Sequence, residues 1–155
     1  DRRQRQMCIR DRILWKAEVL IQLDRQDEAL PLINKIRQRA ANSLENLKTA
    51  DGSYILNYKC ELYKPGVNCT WTKEFAWKAM EWENRLELAC EGRRFFDLQR
   101  WGTLEKTMNA YFAVERNRFD WMNIARFTAG RDEFFPISQA QMKWAKGNYT
   151  QNPGY

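Results

Sequence analysis

The chain has 155 residues, 44% of them hydrophobic and 14% aromatic, which suits one domain with a packed core and argues against a chain disordered as a whole. Its formal charge is +6, from 26 basic and 20 acidic residues. It has no histidine, and its four cysteines make no CxxC, so a Cys/His zinc site and histidine acid–base chemistry are both excluded.

The basic excess is unevenly placed. Residues 1–12, DRRQRQMCIRDR, hold five Arg against two Asp and so carry half of the surplus. The rest of the chain intersperses its signs as an ordinary solvated surface does, which argues against a nucleic-acid interface. No apolar periodicity begins before Ile13. Residues 1–12 are therefore read as a non-native or disordered tail, with a frayed helix start as the alternative, and the folded region as 13–155. No apolar run approaches the length of a membrane span.

Residues 13–43 predict two helices with a break at Asp24–Asp27. Ile13, Ala17, Leu20 and Ile21 form the apolar stripe of the first helix, and Ala29, Ile33, Ile36 and Ala40 that of the second. Asp27 and Glu28 suit the N-terminus of the second helix. Pro31 is expected in its first turn, where the missing N–H costs little. Small residues at Ala17 and Ala29 match the crossing of a tetratricopeptide helical hairpin, and equally any αα-hairpin with alanine at the crossing.

Residues 44–72 read as a long irregular connection rich in Tyr54, Tyr58, Tyr63 and Trp71. Exposed rings such as Tyr63 and Trp71 suit stacking on sugars; the alternative is that they pin the loop to the helices. Cys60 and Cys69 flank the turn in ELYKPGVN. A disulfide there would stabilise by about 2–3 kcal/mol and imply an exported protein, with two free thiols as the alternative.

Thr72 is the expected N-cap of a helix reaching Trp101, interrupted at Gly92. Phe75, Ala79, Trp82, Leu86 and Ala89 are its expected core stripe, with Cys90 as a small core residue. Glu87, Glu91 and Arg94 fall at i, i+4 and i+7, and Asp97 lies four after Arg93 and three after Arg94. Arginine forks satisfy carboxylates bidentately, so the segment ending in Arg100 and Trp101 reads as a polar clamp between packed helices. Paired catalytic carboxylates are the rejected alternative, because each acid has an arginine nearby to hold it ionised. No catalytic, metal or cofactor site is expected.

Residues 103–127 predict two further helical stretches anchored by Met108, Tyr111, Phe112, Phe119 and Trp121. Beyond them the chain turns loop-like, punctuated by Gly130, Pro136, Gly147, Pro153 and Gly154, with Phe134, Phe135, Trp144 and Tyr149 expected to tuck onto the core. No strand and no glycine-rich phosphate loop is predicted, so the fold class is all-α: a helical hairpin, further packed helices and long ordered loops.

Several ordered motifs resemble one family. NRLELACEGRRFFDLQRWG, residues 84–102, is similar to the ELA-FEG-HRFFDLRRWG segment of SusD/RagB-type outer-membrane lipoproteins. The closing QNPGY is similar to their C-terminal signature. AEVLIQLDRQDEALPLINKIRQRA, ELYKPGVNCTWT and YFAVERNRFDWMNIARFTAGRDEFFPIS resemble the last helical repeat, the loop before the long helix and the connecting region. Asn84, Cys90, Arg93 and Ser138 depart from the usual residues. The resemblance implies a tetratricopeptide-like, non-catalytic protein that binds glycan or another nutrient for a SusC-like TonB-dependent transporter. It also implies a lipid anchor upstream, at the surface of the outer membrane. This chain would be the C-terminal part of such a protein, with most ligand residues upstream. A helical-repeat module that binds another protein is the competing reading.

Overall fold

A computed structural model describes residues 9–54 and 59–155. Most of the tail, with Cys8, lies outside the described residues, as does Tyr58. Among the described residues, the regular elements are helices, joined by loops with two isolated bridges, Lys48 to Tyr54 and Pro65 to Cys69. The chain divides into two compact units, Asp1–Glu91 and Gly92–Tyr155.

The first unit holds three mutually packed helices, α1 (Arg10–Gln22), α2 (Gln26–Asn42) and α3 (Lys73–Glu87). Helix α1 begins at Arg10, ahead of Ile13, and buries Asp11 in its first turn. The hairpin core is the expected one except that Ile13 and Ala40 are only half-buried. Ala17, Leu20 and Ile21 are buried from α1, joined by Leu14, and Ala29, Ile33 and Ile36 are buried from α2. Alanine at 17 and 29 removes side-chain bulk where the helices pack. The α1–α2 turn closes through Asp24 at φ 59°, with Arg25 N–H donating to the Leu20 carbonyl at 2.8 Å. Because α2 begins at Gln26, Pro31 sits in its second turn rather than its first, and removes the N–H that would bond the Asp27 carbonyl.

A 3-10 turn (Ser43–Leu47) follows α2, and the irregular connection runs on to α3. Thr72 caps α3 as its sequence predicts, its hydroxyl accepting from Phe75 N–H at 3.2 Å. The helix stops at Glu87. Cys90 (φ 64°) and Gly92 (φ 74°) both turn left-handed, which breaks the expected long helix at the expected place. Cys90 is thereby exposed, not a core residue.

The buried face of α3 also differs from its large-residue stripe. Ala76, Ala79, Met80, Glu83 and Asn84 are buried, followed by Leu88 after the helix end, while Trp82, Leu86 and Ala89 are exposed. The core face is therefore rotated toward positions that carry polar side chains.

In the second unit, α4 (Arg94–Arg100) and α5 (Leu104–Glu115) pack on each other. Leu98, Leu104 and Phe127 form a small buried cluster, with Phe95, Trp101, Met108 and Phe112 packed against it. The Asn109 amide brackets Phe127, accepting from its N–H and donating to its carbonyl, both at 2.9 Å. A 3-10 turn (Asp120–Ile124) buries Met122, and a short helix α6 (Gln139–Trp144) appears within the segment expected to be loop, capped by Ser138. Tyr111, Phe119 and Trp121 are exposed, as are Phe134, Phe135, Trp144 and Tyr149, so these seven rings are not the anchors their size suggested.

Polar bonds order the C-terminal segment instead. The Gln151 amide pairs with both backbone groups of Ile137 at 2.8 Å. Asn152 donates to the Phe135 carbonyl at 2.6 Å, and the Tyr155 hydroxyl donates to the Phe134 carbonyl at 3.1 Å. The closing QNPGY thus clasps the FFPI stretch through its backbone. Gly154 allows this at φ 83°, where a Cβ would also meet Arg131 Cγ at 2.6 Å. Arg131 can swing aside, but the left-handed backbone cannot relax as easily. Gly154→Ala should cost about 1–2 kcal/mol in chemical denaturation, and an unchanged midpoint would show that the clasp does not constrain this backbone.

Candidate functional site

The charged segment is built on α3 and the turn after it. Glu83 is 5% exposed, and its carboxylate accepts from Arg37 of α2 at 2.5 Å. Glu87 lies one helical turn further on and is met by Arg10 from α1 and by Arg39 from α2. Arg10 also pairs with Glu91, and its Nη1 donates to the Glu87 carbonyl at 3.2 Å. Two acids spaced four residues apart on α3 therefore meet arginines from both helices of the hairpin. Arg37 does further work: it donates to the Glu61 carbonyl at 2.6 Å and stacks over the Tyr63 ring at 4.4 Å. One guanidinium thus ties α2, α3 and the long loop together.

Burial pushes the Glu83 carboxyl above its ordinary pKa, and the Arg37 bond and charge pull it partly back. The folded state therefore holds this proton more tightly than the unfolded chain. The group favours folding most in acid, and that contribution is lost as pH rises through the raised value.

The remaining members of the predicted clamp lie in the second unit. Asp97 is buried and accepts from Arg100 Nε at 3.0 Å, while Arg94 and Arg100 lie 5.5 and 5.0 Å from the Trp101 ring centre. Glu87, Glu91 and Arg94 do not share one helix face, because α3 ends at Glu87 and α4 starts at Arg94.

The loop candidates come together. Tyr63, Trp71 and Phe75 form a ring cluster with centroids 5.6 to 5.8 Å apart. The Trp71 indole N–H donates to the Gln26 carbonyl at 2.9 Å. Asn34 of α2 brackets the Tyr63 backbone, donating to its carbonyl at 2.9 Å and accepting from its N–H at 2.8 Å. Cys60 and Cys69 are both free thiols, so the disulfide considered for them is not formed. The Cys60 thiol turns to the Arg37 carbonyl at 3.5 Å, and the turn is closed instead by Gly66 N–H on the Cys69 carbonyl at 2.9 Å. Asn34 and Arg10 had no sequence signal as site residues, since an amide on a helix and an arginine in a charged tail are both ordinary in isolation. Among the described residues, no group of acids and cysteines is arranged to hold a metal ion.

A helical hairpin crossed by a third helix, with a clasped all-α C-terminal unit, defines the class as an all-α protein with a repeat-like hairpin. The SusD family profile matches residues 7–155, and the chain belongs to that family. It is also similar to the "SusD-like protein P38" of Formosa agariphila, 32% identical over 111 residues that cover 72% of this chain and 19% of that protein. The chain thus spans about a fifth of the length of that relative.

Two outcomes test the geometry. Arg37→Ala would leave Glu83 buried without its partner and should destabilise by about 3 kcal/mol. The loss should be smaller at pH 5 than at pH 8, because an unpaired Glu83 folds more readily protonated; a pH-independent loss in urea melts would remove Glu83 from the account. Trp71→Ala should lower stability by about 2 kcal/mol, through a lost hydrogen bond and ring packing. A melting temperature unchanged by that substitution would show the ring is not a structural anchor.

Proposed function

We propose that the complete protein is a non-catalytic glycan- or nutrient-binding component of an outer-membrane SusC/SusD-type uptake system. It hands an oligosaccharide or other nutrient to a SusC-like TonB-dependent transporter, and a lipid anchor upstream of this region holds it at the cell surface. Family membership across residues 7–155 carries this reading. The charged segment supports a scaffold role rather than a reaction centre: Glu83, Glu87, Glu91 and Asp97 each meet an arginine. Tyr63 and Trp71 serve this reading as the anchor of the loop, with ring surface engaged by each other and by Phe75. Among the described residues, no helix is long and apolar enough to cross a membrane.

A second reading has its own observation. Trp15 and Val19 on α1, and Leu23 just past its end, are exposed at i, i+4 and i+8, an apolar stripe of the kind a partner helix covers. On that reading the region is a helical-repeat module that binds protein and not saccharide.

Calorimetry on the complete protein with a panel of oligosaccharides, alongside an assay for released reducing ends, separates the readings. Saccharide binding without hydrolysis is the expected result. Release of reducing sugar would overturn the non-catalytic reading. Indifference to saccharide combined with tight binding to a purified protein partner would select the repeat module.

A further inference from the structure

The second unit presents two adjacent rings to solvent. Phe119 is 47% exposed and Trp121 71% exposed, and their centroids lie 5.8 Å apart at 36°. Rings so tilted do not cover each other face to face, so ring surface remains open. Large apolar side chains left exposed together mark a binding surface more often than a stability element.

The backbone carrying them is held rigidly. The Arg116 guanidinium donates to the Ala125 carbonyl at 2.5 Å and to the Met122 carbonyl at 3.4 Å, across the 3-10 turn. Phe119 N–H donates to the Glu115 carbonyl at 2.9 Å, and Met122 is buried beneath the turn. The rings thus project from a pre-ordered loop, which lowers the ordering cost of binding.

The residues beside the rings in sequence bear on the class of ligand. Arg118 adjoins Phe119 and is 68% exposed at 3.6 Å from Glu115, which is itself buried. Arg126 follows Ala125 and is exposed, as are Asn117, Asp120 and Asn123. Between Gly92 and Tyr155 there are ten basic against six acidic side chains. Flat rings stack on the apolar faces of pyranoses, exposed amides suit hydroxyls, and arginine forks suit carboxylate or sulfate groups. We infer that Phe119 and Trp121, with the exposed Arg118 and Arg126 close to them in sequence, form a surface site for an acidic saccharide bearing uronate or sulfate groups. This rests on the nutrient-binding reading and adds a ligand class and a location to it.

The test is calorimetry on the complete protein with oligouronates, sulfated galacto-oligosaccharides and neutral gluco-, manno- and xylo-oligosaccharides. Wild type should prefer an acidic member, with affinity that falls as salt rises. Trp121→Ala should weaken that binding about tenfold without moving the melting temperature, since the ring is mostly in solvent. Arg118→Gln with Arg126→Gln should weaken it and flatten its salt dependence. Binding unchanged in Trp121→Ala would overturn this site and leave the nutrient-binding reading standing, and a preference for neutral saccharides would overturn the charge assignment in the same way. Wild type that binds no saccharide of the panel would overturn both.

Discussion

The contact on which the first unit depends is Arg37 with Glu83. A carboxylate placed on the packed face of α3 loses its hydration, and its raised pKa records that cost. Arg37 offsets the cost with a charge-assisted bond, and its second donor and ring stack draw the long loop onto the same point. Glu87 repeats the arrangement one turn further along with Arg10 and Arg39. The helices are thus registered by directional bonds on top of apolar contact. Alanine and isoleucine pack α1 on α2 tolerantly, whereas a guanidinium finds its carboxylate in only a narrow range of positions.

The second unit solves the opposite problem. Its buried cluster of Leu98, Leu104 and Phe127 is small, so apolar burial alone leaves much of the chain unordered. Side chains that bond to backbone make up the difference. Asn109 brackets Phe127, Arg116 spans the 3-10 turn, and Gln151, Asn152 and Tyr155 take up the backbone of residues 134–137. This explains why a segment rich in glycine and proline has a defined course while its aromatic residues face solvent. It also gives the QNPGY ending a physical role as a clasp.

The chain belongs to the SusD family, and its charged and aromatic side chains are used chiefly to hold helices and loops in place. Glu83, Glu87, Glu91 and Asp97 each meet an arginine, and the loop rings Tyr63 and Trp71 are committed to one another and to the helices. Phe119 and Trp121 are different, since they stand on an ordered turn with much of their surface open.

The sequence by itself determined what depends on neighbours along the chain. The stripes of α1 and α2, the Thr72 cap, the interruption near Gly92 and the all-α class were legible from periodicity and local backbone preference, and the ordered motifs pointed to the family. Only the tertiary structure decided what depends on residues far away. Periodicity points the buried face of α3 toward Trp82 and Leu86 because glutamates are ordinarily solvated, and their arginine partners lie 46 to 77 positions distant. The same holds for Cys90, which a left-handed turn carries into solvent, and for Phe134, Phe135 and Trp144, whose size suggests burial although their segment is held through its backbone and leaves them exposed. Periodicity reports which residues share a face; whether a charge on that face is tolerated depends on a partner that only folding brings near.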